Sequence, residues 1–201
     1  SMWEKNVFRE GRCLRIHLED LCQGLGVPPS LKYHNEGGPS VRDVANLLWD
    51  VSSEPATDVQ RFADALIFNW LILGTDAHAK NYSLWIAPGS QVRLAPLYDL
   101  ASALPYPAQI SPHKAKLAMK IGSKYRIKEI VRRHWEATAR ELKIPASELL
   151  ERMIALANAV TTTAGEMASA LHAENLTHPV IRVLERQLRA RAEECLRSWH
   201  E

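Results

Sequence analysis

Apolar side chains recur at Val59, Phe62, Ala63, Leu66, Ile67, Trp70 and Leu71. Steps of three and four lay one continuous stripe along a helix. The same period runs through VRDVANLLWDV from Val41, IKEIVRRHWEATAREL from Ile127, a long run from Pro145, and VIRVLERQLRARAEECLRSW after Pro179, so a mainly α fold is expected. Start signals accompany the pattern: Ser40 as N-cap of the Val41 helix, Thr57 with Gln60 as a capping box, and Ser147 with Glu148 capping the run after Pro145. Gly74 reads as the left-handed residue that ends the Thr57 helix. LEDLCQGLG from Leu18 reads as a short helix closed by Gly24 or Gly26, and VPPSLKYHNEGGP as an irregular loop.

The period changes after the polar loop TDAHAKN, Thr75 to Asn81. YSLWI and VRLAPLYD are extended segments joined by APGSQ, the signature of a small β-hairpin. No internal repeat or low-complexity stretch divides the chain, so residues 1–201 read as one compact unit.

Composition narrows the class without naming a partner. A length of 201 residues suits one domain or one lobe of a larger enzyme, and 46% hydrophobic with 24% charged residues suits a soluble globular fold. A net charge of +2 selects neither nucleic acid nor membrane. Cys13, Cys22 and Cys195 show no CxxC spacing, which argues against a structural zinc or a disulfide framework and for the cytoplasm. The apolar runs fall short of the roughly 18 residues of a membrane span. Ser1 before Met2 reads as the remnant of a cleaved tag.

The chemistry concentrates where the hairpin closes. Antiparallel pairing brings strand ends to on the order of 5 Å, and the residues flanking this hairpin are Asn81 and Asp99. Asp76 opens the loop that leads into it. An Asp, an Asn five residues later and a second Asp beyond a hairpin is the arrangement of protein-kinase-type phosphoryl transfer. Asp76 would accept the attacking hydroxyl's hydrogen bond, Asn81 and Asp99 would offer hard oxygen ligands to Mg²⁺, and Lys80 would neutralise phosphoryl charge. Simpler roles stand beside these: Asp76 as a turn residue, Asp99 as N-cap of the LASAL segment, and His78 as an orienting group, a solvated side chain or a metal ligand.

These segments carry a resemblance. NWLILGTDAHAKNYSLWI resembles the catalytic loop of the HipA family of bacterial serine/threonine kinases, the toxins of HipA/HipB toxin–antitoxin systems. VRLAPLYDLASALPY resembles that family's metal-binding segment, RIHLEDLCQGLGVPPSLKY its entry into the C-terminal lobe, and LAMKIGSKY with the following helix is similar too. The resemblance implies a kinase-like C-terminal helical lobe whose small hairpin carries the site. It implies Asp76 as catalytic base, His78 and Lys80 as the rest of the D-x-H-x-K-N pattern, and Asn81 and Asp99 as magnesium ligands with ATP as cosubstrate. It further implies a HipB-like, DNA-binding antitoxin as partner and a protein substrate, with an aminoacyl-tRNA synthetase suggested. Nothing before Trp3 resembles the family's nucleotide-clamping N-terminal lobe, so the chain reads as the C-terminal lobe, weakly active or inactive alone.

Two further readings belong to other classes. One is a non-catalytic module that docks an antitoxin or a separate N-terminal lobe. The other is a metal-dependent phosphohydrolase using Asp76, His78 and Asp99. Arg182, Arg186 and Arg189 form a basic stripe on the last helix, read first as a solvated face and second as a DNA-backbone contact. The six tryptophans, Trp3, Trp49, Trp70, Trp85, Trp135 and Trp199, are expected mostly in the core.

Overall fold

In the computed structural model of the chain, residues 16–198 are described, together with the backbone of Phe8–Arg9 and Arg12–Cys13. These two dipeptides pair as the antiparallel strands β1 and β2. Strands β3 (His17–Asp20), β4 (Ser83–Ala87) and β5 (Gln91–Leu94) form a second sheet in that order, and β6 (Lys116–Ile121) pairs with β7 (Lys124–Arg126). The helices are α1 (Leu21–Gly24), α2 (Val41–Val51), α3 (Pro55–Leu71), α4 (Arg132–Leu142), α5 (Ala146–Ala173) and α6 (Pro179–Ser198).

Helix α3 is the axis of the packing. All seven residues of its apolar stripe are buried, and Leu48 of α2, Trp135 of α4, and Leu149 and Met153 of α5 join the same cluster. Each large side chain taken from water contributes about 1.5–3 kcal/mol. Trp70 and Trp135 meet edge to face, their centroids 5.6 Å apart. Trp49 donates its indole N–H to the Leu142 carbonyl at 3.0 Å and Trp85 is half-buried. Trp3 and Trp199 lie outside the described residues.

The ends of the helices correct several expectations. Ser40 caps α2 as expected, in a capping box with Asp43. Helix α3 starts two residues before Thr57, with Pro55 in its first turn and no side-chain cap; proline is pre-set for that position because its missing N–H has no intrahelical acceptor there. Ser147 and Glu148 likewise lie inside α5, which begins at Ala146 uncapped by a side chain. At the far end of α3 the left-handed residue is Leu73, φ 58°, rather than Gly74. Gly74 N–H closes the turn on the Asn69 carbonyl at 2.7 Å. A Cβ on Gly74 would stand 2.3 Å from Asn69 Oδ1, so the glycine answers a close approach and not a backbone angle.

Leu18, Glu19 and Asp20 are strand, not helix, because they pair with Trp85, Leu84 and Ser83 of β4. Asp20 then becomes the N-cap of α1, its carboxylate accepting the Gln23 N–H at 3.0 Å. Of the two candidate glycines, Gly26 takes the left-handed turn after α1, at φ 65°. LAMKIGSKY forms the β6–β7 hairpin, turning at Gly122, whose N–H is held by Thr138 Oγ1 of α4 at 2.9 Å.

A buried ion pair locks the β4–β5 hairpin to the start of α3. The Asp58 carboxylate, wholly buried, accepts from Arg93 Nε at 3.0 Å, from the Leu94 N–H at 2.8 Å and from Ser52 Oγ at 2.7 Å. Burial alone would raise Asp58, but Arg93, Ser52 and the Leu94 amide hold its carboxyl below the usual carboxylate range.

On α6, Arg182, Arg186 and Arg189 are exposed, as a solvated face requires, and Arg189 reaches Glu185 at 3.6 Å. Arg191 turns inward over the Trp70 ring, 5.3 Å from its centroid. Among the described residues no helix is long and apolar enough to cross a membrane.

Candidate active site

The loop between α3 and β4 is held at both ends before any side chain is considered. Ser102 Oγ donates to the Ile72 carbonyl and Ala103 N–H to the Leu73 carbonyl, which draws the segment after β5 back to the loop's start. Asn81 N–H bonds the His78 carbonyl at 2.9 Å in the short 3₁₀ turn Ala79–Asn81. Leu21 N–H bonds the Tyr82 carbonyl at 3.0 Å.

Asn81 and Asp99 meet as expected: Asn81 Nδ2 donates to Asp99 Oδ2 at 2.7 Å. The strand register alone does not bring them there. Leu84 faces Leu94 and Ala95 N–H extends the ladder to the Ser83 carbonyl at 2.8 Å, a register that continued would set Asn81 opposite Leu97. Pro96 has no N–H with which to continue it. Tyr98 instead folds across, its hydroxyl 2.8 Å from the Lys80 carbonyl and 2.6 Å from Ser83 Oγ. Asp99 follows in the left-handed region at φ 55°, a conformation Asp tolerates better than most residues. Leu100–Leu104 form no helix, so Asp99 caps nothing.

Asn81 is 5% exposed, and its Oδ1 is buried with no hydrogen-bond partner among the described residues. A buried acceptor left unmade costs about 1–3 kcal/mol, so an orphan beside a carboxylate points to a ligand. An amide oxygen and a carboxylate are donors of the kind Mg²⁺ takes alongside water and phosphate oxygens. No cluster of three His, Cys, Asp or Glu side chains suited to a metal forms among the described residues.

Asp76 is exposed, and Tyr33 Oη donates to its Oδ1 at 2.5 Å. That hydrogen bond, with burial second, pushes the Tyr33 phenol up to about 12. Tyr33 also meets the His78 ring edge to face at 5.1 Å. His78 is buried, its Nδ1 without a hydrogen-bond partner among the described residues. Burial and the nearby Lys32 hold its pKa below the ordinary histidine value, against the opposing charges of Asp76 and Asp99. Both carboxylates thus lie within electrostatic reach of one neutral imidazole.

Lys80 is engaged by a third carboxylate. Its Nζ pairs with Asp20 Oδ2 at 2.5 Å, and that bond raises its pKa. Tyr33, Asp20 and Tyr98 are the residues that reading the sequence missed. Asp20 carried one signal, the D-x-x-Q capping box, whereas nothing local marked Tyr33 or Tyr98.

The fold and this constellation define a class that the comparisons with known proteins make explicit. The family described as HipA-like C-terminal domain matches residues 6–164, and the chain belongs to that family. Among its relatives is the protein named "Putative kinase Y4mE" of Sinorhizobium fredii, 43% identical over 162 residues that make up 81% of this chain and 37% of that protein. The serine/threonine-protein kinase toxin HipA of Shewanella oneidensis is 30% identical over 173 residues, 81% of this chain and 39% of that one. Among solved structures, a chain from the Shewanella oneidensis complex of HipA, HipB and operator DNA superposes with a TM-score of 0.80 at 26% identity. That match covers 95% of this chain and 46% of the other. The chain spans about two fifths of the length of the curated relatives it matches.

Proposed function

We propose that the chain is the C-terminal catalytic lobe of a HipA-like protein kinase, which transfers the γ-phosphoryl group of Mg²⁺-ATP to a Ser or Thr hydroxyl of a protein. The observation that carries this reading is the buried, unpartnered Oδ1 of Asn81 beside Asp99. Asn81 Oδ1 and the Asp99 carboxylate would hold the metal, with Asn81 Nδ2 fixing the orientation of Asp99. The ion, when bound, neutralises charge on the nucleotide phosphates. Asp76 accepts the hydrogen bond of the acceptor hydroxyl and takes its proton as the oxygen bonds to phosphorus and the bond to the ADP oxygen breaks. Lys80 serves the transferring group only by exchanging Asp20 for a phosphoryl oxygen. His78 stays neutral and orients the loop through its contact with Tyr33.

The same reading makes a HipB-like antitoxin the natural partner, in keeping with the solved complex to which the fold is similar, and places the protein in the cytoplasm. DNA contact would come through that partner or through the exposed Arg182, Arg186 and Arg189.

Asp76→Asn tests the reading. In the complete kinase, transfer of labelled phosphate to protein should fall by about 10²-fold or more while nucleotide binding persists. Unchanged transfer in that variant would remove Asp76 from the mechanism.

A further inference from the structure

A cavity of about 280 Å³ opens beside Asp76, bordered by Tyr33, Glu36, Thr75, Lys116, Leu117 and Tyr125. Tyr33 belongs both to this wall and to the candidate base, since its hydroxyl donates to Asp76 Oδ1 across 43 positions of sequence. A phenolic O–H on the base carboxylate does what an acceptor Ser or Thr hydroxyl must do there before its proton can leave.

We propose that Tyr33 is an internal stand-in for the acceptor: its hydroxyl holds the position on Asp76 that a substrate hydroxyl takes over, and the adjoining cavity receives the residues flanking that acceptor. The inference rests on the kinase reading and adds to it the side from which the protein substrate enters. The wall narrows the substrate's chemistry. Tyr33 and Tyr125 offer aromatic surfaces, and Lys116 makes no ion pair among the described residues. Lys32 sets a second ammonium 5.1 Å from the Tyr33 ring centroid. Two ammonium groups stand against the carboxylates of Glu36 and Asp76, and with Asp76 engaged by the acceptor hydroxyl they favour a segment with an acidic side chain next to the acceptor.

An acceptor that must displace Tyr33 loses affinity to that competition. Tyr33→Phe keeps the ring, and with it the cavity wall and the His78 contact, while freeing Asp76. The probes are two fluorescein-labelled synthetic peptides of eleven residues, Glu-flanked, one with a central Ser and one with Ala in its place, read by polarisation. The Ser peptide should bind Tyr33→Phe more tightly than the unaltered chain by roughly tenfold or more, the scale of one hydrogen bond to a charged group. The Ala peptide should bind both equally, and Lys116→Glu should weaken both peptides. Failure of the peptides to bind, or a Tyr33→Phe effect that is absent, reversed or shared by the Ala peptide, would overturn the proposal. Mg²⁺-ATP titrated into the same samples separates the two ideas: nucleotide binding with no peptide effect sinks the stand-in alone, and a peptide effect without nucleotide binding sinks the kinase reading.

Discussion

Arg93 and Asp58, 35 residues apart, meet in a two-pronged ion pair inside the protein, with Nε on Oδ2 at 3.0 Å and a terminal nitrogen on Oδ1 at 3.1 Å. Asp58 is 0% exposed and Arg93 8%, so neither charge is screened by water. Arg93 also reaches Glu54. The pair fixes where the hairpin leaves α3, and therefore where β4 delivers Asn81. Asp58→Ala should cost about 3–5 kcal/mol, because it takes the two-pronged carboxylate partner from a buried guanidinium. Chemical denaturation would read this, and a loss below about 1 kcal/mol would show the pair to be dispensable.

The same carboxylate sets one of two acid limits. Asp58 has a folded pKa below its unfolded value, so its contribution is present above about pH 4 and is lost as pH falls through the folded pKa. His34, His78 and His134 are all lowered, by burial first. The unfolded chain then binds more protons than the folded one below about pH 6.5, and stability falls as these imidazoles are forced to charge. Thermal melts across pH 7.5 to 2.5 should show a first decline below about pH 6.5 and a second below about pH 4. A melting temperature constant from pH 7 to pH 5 would contradict the histidine part.

Gly74→Ala should destabilise the chain by about 1–3 kcal/mol through overpacking, since the added carbon would lie 2.3 Å from Asn69 Oδ1. Asn69 also donates to the Ala65 carbonyl at 2.9 Å and to the Tyr82 hydroxyl at 3.3 Å, tying α3 to the far end of the candidate loop. Adding Asn69→Ala to Gly74→Ala should restore part of the loss if the clash is its cause. A double variant as unstable as the sum of the two would place the cause in the backbone instead.

Periodic elements were legible in the sequence because their physics is local. The buried stripe of α3 falls on the residues its spacing selects, and Ser40 caps α2 within three residues of its partner Asp43. The site was legible in part for the same reason, as Asn81 and Asp99 flank one hairpin. What escaped depends on distant chain. Strand β3 exists because β4 offers it a partner more than 60 residues on, and an isolated HLED shows no alternation to announce it. Tyr33 reaches Asp76, and Asp20 reaches Lys80, through packing that no window along the sequence contains. Gly74 reads as the left-handed residue, but Leu73 takes that conformation, and the glycine is needed because Asn69, five positions back, fills the space that a side chain on residue 74 would occupy.

The central claim is a metal–nucleotide site built on Asn81 and Asp99, and calorimetric titration of Mn²⁺-ATP tests it most directly. The chain should bind with a saturable isotherm that is lost in Asp99→Ala and in Asn81→Ala, while ATP with EDTA gives none. Equal binding by the unaltered chain and both variants, or none by any of them, would contradict the account.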